Sequence, residues 1–262
     1  MSSHASRLTL HALRQFLVAW QFLTIIPLSR AHHDPSPREL AGSMAWYPCV
    51  GLLIGTILAA VDLALSRVVP RGVSELLVLS LLVVLTRGLH QDGLADTLDG
   101  LAGGRSPAER LAIMRDGTIG PIGATGLILV IGLRYASLAS LPVDERWPVL
   151  LCMPVVGRWA MVMGTATLPY ARAEGGLAQP FTQHLSRKEI ALATGLLVVA
   201  LAVLFGGVAT GAILLAVGAA LIFLVWLFRC QCGGITGDML GATNEMTEVL
   251  FLLLAPWLLA QR

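Results

Sequence analysis

The sequence predicts an all-α fold: a polytopic transmembrane helical bundle of about seven to eight membrane helices, forming a single integral membrane domain over residues 1–262. Two observations carry this expectation. Of the 262 residues, 56% are hydrophobic and only 13% are charged, against about 25% charged in a soluble domain. Half the usual charge cannot cover a water-facing surface of this size, so much of the outside must face lipid. The apolar residues also run in long stretches, and a spanning helix needs roughly 20 of them.

The stretches fall near 12–28, 41–65, 73–89, 121–141, 147–168, 189–206, 209–228 and 246–260. The first follows Arg7 and Arg14 and has the outline of a signal peptide, but Pro27 to His33 offers no small-x-small cleavage site. It reads as a retained first helix, short and either spanning or interfacial. Gly51 with Gly55, and Gly120 with Gly123 and Gly126, place small residues at helical spacing, where helices approach closely. Gly206-Gly207 marks a tight turn between two helices. Arg87, Arg134 and Arg158 stand in apolar runs, where an unpaired guanidinium is costly. Arg158 is the best placed of them to face a cavity, and Arg87 precedes an acidic cluster with which it could pair.

Several functions are excluded. The net charge is +2 with no run of like charge, so no nucleic acid is expected as a partner. Cys49 and Cys152 lie in apolar runs, and Cys230 and Cys232 have one residue between them, closer than the usual zinc pair. Neither a zinc site nor a disulfide framework is expected. No Gly-x4-Gly-Lys-Ser/Thr loop is present.

Polar connections near 29–40, 90–120, 169–188 and 229–245 share one face if the first helix spans. That face carries Arg30, Arg38, Arg105, Arg110, Arg115, Arg172, Arg187, Lys188 and Arg229, nine cations against six on the other, which are Arg7, Arg14, Arg67, Arg71, Arg146 and Arg262. The excess marks it as cytoplasmic. Loops in one compartment could build one site.

The richest loop is His90-Gln91-Asp92-Gly93-Leu94-Ala95-Asp96-Thr97-Leu98-Asp99-Gly100. Asp92, Asp96 and Asp99 stand at i, i+4 and i+7 and share a helix face. Three stacked carboxylates repel unless a cation lies among them, and a hard divalent ion with oxygen ligands suits them. A diphosphate could bridge to such an ion. A solvated acidic turn is the plainer reading, and a prenyl-diphosphate enzyme or a cation transporter also fits. In Met114-Arg115-Asp116-Gly117, Asp116 could complete a metal site and Arg115 could hold phosphate, although a surface pair explains both. In Gly233 to Glu248, the glycines let backbone amides approach an anion. Asp238 and Glu245 again share a face there. Tyr170 to Phe181 is a glycine-hinged loop that either covers a polar substrate or merely connects.

These four stretches, in this order, with Phe22-Leu23-Thr24-Ile25-Ile26-Pro27 near the start, resemble the cobalamin synthase family, the adenosylcobinamide-GDP ribazoletransferases. The resemblance covers essentially the whole chain. Gly117 stands where a serine commonly follows the Asp, and Ala178 where a glycine is common. Neither change removes a carboxylate.

The resemblance implies an Mg²⁺-dependent enzyme of cobalamin biosynthesis in the bacterial cytoplasmic (inner) membrane, its active site facing the cytoplasm. It would join adenosylcobinamide-GDP to α-ribazole or α-ribazole 5′-phosphate with release of GMP, in contact with the lipid bilayer; an oligomer is compatible with this. The residues carried over are Asp92, Asp96, Asp116, Asp238 and Glu245 for the metal. Arg158, Arg172, Gly234, Thr236 and Gly237 would bind substrate, and Asp99, His90 and Arg115 would serve catalysis. A CDP-alcohol phosphotransferase is the nearest rival, but its expected Asp-x2-Asp-Gly-x2-Ala-Arg pattern fails where Gly103-Gly104 stand.

Overall fold

The computed structural model describes residues 2–28 and 34–260, with side chains from residue 9 onward. Arg30 and Arg262 of the charge count, and the side chain of Arg7, lie outside the described residues. Eleven α-helices follow one another: α1 (Ser2–Leu23), α2 (Pro37–Ser43), α3 (Tyr47–Leu65), α4 (Arg71–Leu85), α5 (Leu89–Gly103), α6 (Pro107–Ile113), α7 (Pro121–Ser140), α8 (Trp147–Thr167), α9 (Gln179–His184), α10 (Arg187–Cys232) and α11 (Gly237–Leu259). No strand occurs among the described residues, and the four cysteines are free.

The starts follow from local chemistry. Ser36 and Ser186 form capping boxes with Glu39 and Glu189, which satisfy orphan amides at the starts of α2 and α10. Pro stands in the first two positions of α2, α3, α6, α7, α8 and α9, where its missing N–H costs nothing. Helix α1 ends at Leu23, ahead of Pro27, and the Trp20 indole N–H donates to the Ile26 carbonyl across that end.

The molecule is apolar outside and charged within. Ile128, Val203, Leu215 and Ile222 are 70% to 78% exposed, whereas Arg158 and Glu248 are fully buried. Water penalises exposed apolar side chains and favours exposed charges; lipid reverses both preferences. Four helices are long and apolar enough to cross a membrane, or five if α4 and α5, bent by 87° at their junction, count as one broken span. This fits a multi-pass membrane protein. The seven to eight expected from hydropathy additionally counted segments 12–28 and 246–260, which overlap α1 and α11, and divided α10 in two. Gly206 does break α10: its φ of 77° and ψ of 175° are not helical. Trp159 of α8 donates to Thr194 on the arm before the break and lines a cavity with Gly218 and Leu221 on the arm after it. The two arms therefore lie side by side, as the glycine pair predicts.

Helix α8 is buried along most of its length, packed between α3, α10 and α11. Gly51 and Gly55 let α3 reach it. A Cβ at Gly51 would stand 2.5 Å from the Pro154 carbonyl oxygen, and one at Gly55 would stand 2.4 Å from that of Leu151. At the other end from the long polar loops, a buried cluster went unread in the sequence. Arg146 holds Asp62 at 2.6 Å and Glu75 at 2.8 Å, and Arg71 reaches Glu75 at 3.0 Å. The spacing of Arg71 and Glu75 at i, i+4 was the one local signal for it.

The α3–α8 contact is testable by thermal unfolding in detergent. Gly55→Val meets backbone that cannot yield, so its midpoint should fall by about 5 °C or more. Gly132→Val, which meets nothing within 4 Å, should leave the midpoint unchanged.

Candidate active site

The site is built where α5 crosses the start of α11. Arg87 and Gly88, both left-handed at φ 56° and 67°, turn the chain between α4 and α5. The first turns of α5 then present His90, Asp92 and Asp96. On α11, Thr236 caps the helix by accepting from the Met239 amide, and Asp238 follows in the first turn. The crossing is close because both helices lack side chains there. A Cβ at Gly93 would lie 2.6 Å from the Asp238 carbonyl oxygen, and one at Gly241 would lie 3.2 Å from that of His90.

A third segment is tied in by a short parallel bridge between Tyr170 and Ile235. The Ala171 amide donates to the Ile235 carbonyl at 3.0 Å, and the Ile235 amide donates to the Pro169 carbonyl at 2.9 Å. Gly234 permits it, since a Cβ there would sit 2.4 Å from the Pro169 oxygen. The bridge sets the register that brings the Arg172 guanidinium to the Asp238 carboxylate at 2.7 Å. Three polar loops distant in sequence thus meet at one end of the bundle.

Charge there is unbalanced. The carboxylates of Asp92, Asp238 and Asp99 all bear on Asp96, and Arg172 alone opposes them. Burial lifts the Asp238 carboxyl above the usual carboxylate range, and Arg172 and the Thr236 hydroxyl pull the other way. Asp92, Asp238 and Arg172 open into a cavity of about 280 Å³. His90 also lines it; the residue is 1% exposed, and neither ring nitrogen has a hydrogen-bond partner among the described residues. Asp92 lines a second, more open cavity of about 530 Å³, together with Arg87. Arg87 makes no ion pair with it among the described residues. No three His, Cys, Asp or Glu side chains converge into a ready metal cage among those residues.

The cobalamin-5-phosphate synthase family model matches residues 15–256. The chain belongs to the cobalamin-5-phosphate synthase family. It is 40% identical to the adenosylcobinamide-GDP ribazoletransferase of Syntrophobacter fumaroxidans over 238 residues, which are 90% of this chain and 96% of that one. The same-named protein of Desulforamulus reducens is 39% identical over 243 residues, 90% of this chain and 94% of its own. That of Ectopseudomonas mendocina is 40% identical over 240 residues, 90% and 96%. No solved structure matches the chain.

In this family member the expected site residues divide into three groups. Asp92, Asp96, Asp238, Arg172, His90 and Gly237 gather at the crossing, and Thr236 supports it from beneath as a helix cap. Gly234 serves the Tyr170–Ile235 bridge, not an anion cradle. Asp99 is adjacent but occupied: its two carboxylate oxygens accept the Gly120 and Gly123 amides at 2.7 and 2.8 Å, capping α7 from another helix. Catalysis is the role expected of Asp99; in the structure both of its carboxylate oxygens are engaged by backbone amides.

The remaining four lie elsewhere. Asp116 is exposed and accepts from the Thr118 hydroxyl, and Arg115 pairs with Glu174 at the surface. Glu245 and Arg158 belong to a buried network unread in the sequence as a unit. Arg134 holds Glu245 at 3.1 Å and Glu248 at 2.6 Å, Arg158 pairs with Glu248, and the Gln91 amide donates to Glu245 at 3.1 Å. These charges neutralise one another within the bundle, so Glu245, expected at the metal, and Arg158, expected at the substrate, are here each paired with an opposite charge. The signal was present: arginines in apolar runs require partners, and Glu245 and Glu248 lead into one.

The network is structural, so Glu248→Leu should destabilise the protein by about 3–5 kcal/mol through two stranded guanidiniums. Arg115→Ala should change stability by less than about 1 kcal/mol. Thermal or denaturant unfolding in detergent separates the two; equal losses would contradict this division of roles.

Proposed function

We propose that this chain joins adenosylcobinamide-GDP to α-ribazole or α-ribazole 5′-phosphate, releasing GMP, at the cytoplasmic rim of the bacterial inner membrane. The observation that carries the reading is the meeting of Arg172 with Asp238 beside the α5 carboxylates, in a chain whose relatives carry that activity in their names. A diphosphate-activated donor needs cations where its charge accumulates and a polar group near the attacking hydroxyl. The site offers both.

Mg²⁺ fits the donor set. Asp92 and Asp96 are hard oxygen ligands one helical turn apart, held near each other by the helix despite their like charge. Mg²⁺ commonly takes one or two carboxylates plus substrate phosphates and keeps waters elsewhere, so it requires no cage of three side chains. When bound, it would neutralise charge on the diphosphate as the bond to GMP lengthens. Asp92 and Asp96 would hold it, with Asp238 alongside.

The chain's own groups do the rest. Arg172 presents a guanidinium fork to phosphate oxygens, and Asp238 fixes the fork's direction. His90 lines the same cavity, but its ring nitrogens are buried, and Arg158 and Arg134 stand near enough to disfavour a charged imidazole. The proton of the ribose hydroxyl passes to a carboxylate of the same cavity, Asp92 or Asp238, as that oxygen attacks phosphorus. The buried surroundings of His90 keep bulk water from competing as the nucleophile. The large corrinoid stays outside a cavity of this size.

Two assays test this with purified protein, the GDP-activated corrinoid and α-ribazole. Asp96→Asn should reduce GMP release by 10²-fold or more, in the manner of a lost transition-state contact, while the variant still folds and inserts. Chelation should abolish release, and added Mg²⁺ should restore it. Near-normal turnover in Asp96→Asn, or in chelator, would remove the metal assignment.

A further inference from the structure

The cavity of about 280 Å³ has two unlike ends. One carries Asp92, Asp238, Arg172 and His90. The other is an aromatic wall of Phe22, Tyr47 and Phe181, the subject here. The rings pack mutually: Phe22 and Phe181 centroids are 5.3 Å apart, edge to face, and Phe22 stacks on Tyr47 at 6.3 Å with planes 18° apart. Each comes from a different segment, namely the end of α1, the start of α3 and the loop helix α9. Tyr47 is 1% and Phe181 2% exposed, and the Tyr47 hydroxyl is engaged by Ser43. Met44 and Met161 complete the apolar end.

We infer that this wall binds the base of the acceptor nucleoside. The inference rests on the transferase reading above and assigns an occupant to a region that reading leaves unassigned. Three physical points favour it. The reaction brings two bases to the site, the guanine of the donor and the benzimidazole of α-ribazole. Guanine is recognised through polar edges, and the Tyr47 hydroxyl at this end is already engaged by Ser43; burying those edges unpaired would be costly. A dimethylbenzimidazole is flat and mainly apolar, and it gains from stacking against rings and from thioether contact. The volume is at the low end for a small ligand, suiting a nucleoside and far too small for the corrinoid. With its base on the wall, the acceptor's ribose reaches toward His90 and the carboxylates, where its hydroxyl must be.

The wall also explains the loop. Phe181 and Ala178 are buried on a segment hinged at Gly175, whose φ is 84°. The same segment carries both Phe181 of the ring box and Arg172, which reaches Asp238. Base recognition and phosphate recognition are thus held by one connection.

The test uses the full-length protein in detergent, with the KM for each substrate measured separately. Stacking of a base on an aromatic side chain is worth about 5- to 150-fold in binding. Phe22→Leu and Phe181→Leu should therefore raise the KM for α-ribazole by about 10-fold or more, while the KM for adenosylcobinamide-GDP changes by less than about 2-fold. Phe22→Tyr, which keeps the ring, should retain the wild-type acceptor KM. A rise in the donor KM alone would mean that the wall takes guanine and would overturn the inference. Unchanged KM values, or equal rises for both substrates, would overturn it too. A direct titration of α-ribazole onto wild type and Phe22→Leu decides the matter independently of turnover. Weaker binding in the variant supports the wall even if no GMP is released, an outcome that would sink the proposed function alone; equal binding refutes the wall.

Discussion

Two helices carrying like charge are held against each other because neither has a side chain at the point of contact. Gly93 and Gly241 remove the bulk that would keep α5 off α11, and the gap they leave is closed by backbone. Asp92, Asp96 and Asp238 share an electrostatic environment as a consequence. On this crossing depend the register of Arg172, the two cavities that meet at Asp92, and the position of His90. The repulsion is offset by Arg172 at the rim, above a self-neutralised buried network of Arg134, Arg158, Glu245 and Glu248. Gln91 couples the levels, since it precedes Asp92 and donates to Glu245.

The apolar exterior makes this arrangement necessary. A bundle facing water could leave its charges outside; here the outside is apolar, so every charge is driven to the rim or to a partner. The chain uses both solutions. Charges at the polar-loop end stay open for chemistry, whereas those deeper in the bundle and at the opposite end are paired. Proposed transfer between a water-soluble nucleotide and a bulky corrinoid then takes place at the boundary, with the aromatic wall pointing into the bundle.

Much of the fold was legible because membrane helices are marked by length and apolarity alone. The break at Gly206 and the close packing of Gly51 and Gly55 followed from residue type. The acidic faces of His90 to Gly100 and of Asp238 onward were legible because carboxylates beside apolar runs are rare. Pairing was not. Whether Glu245 faces the rim or the core depends on helix rotation set by α7 and α8, which periodicity does not encode. Asp99 sits on the same helical face as Asp92 and Asp96, yet serves the amides of Gly120 and Gly123, a use visible only once α7 is placed. The aromatic wall was equally hidden, its rings lying in three segments with no common spacing.

The account stands on the proximity of residues 92 and 238, and cross-linking measures it directly. In a chain with its four native cysteines replaced by serine, cysteines are placed at Asp92 and Asp238 and treated with a short bis-methanethiosulfonate, which joins two thiols with loss of sulfinate. Mass spectrometry of the digested protein should find a peptide pair joining 92 to 238. Free alkylation of both thiols, with no joined peptide, would contradict the crossing and everything derived from it.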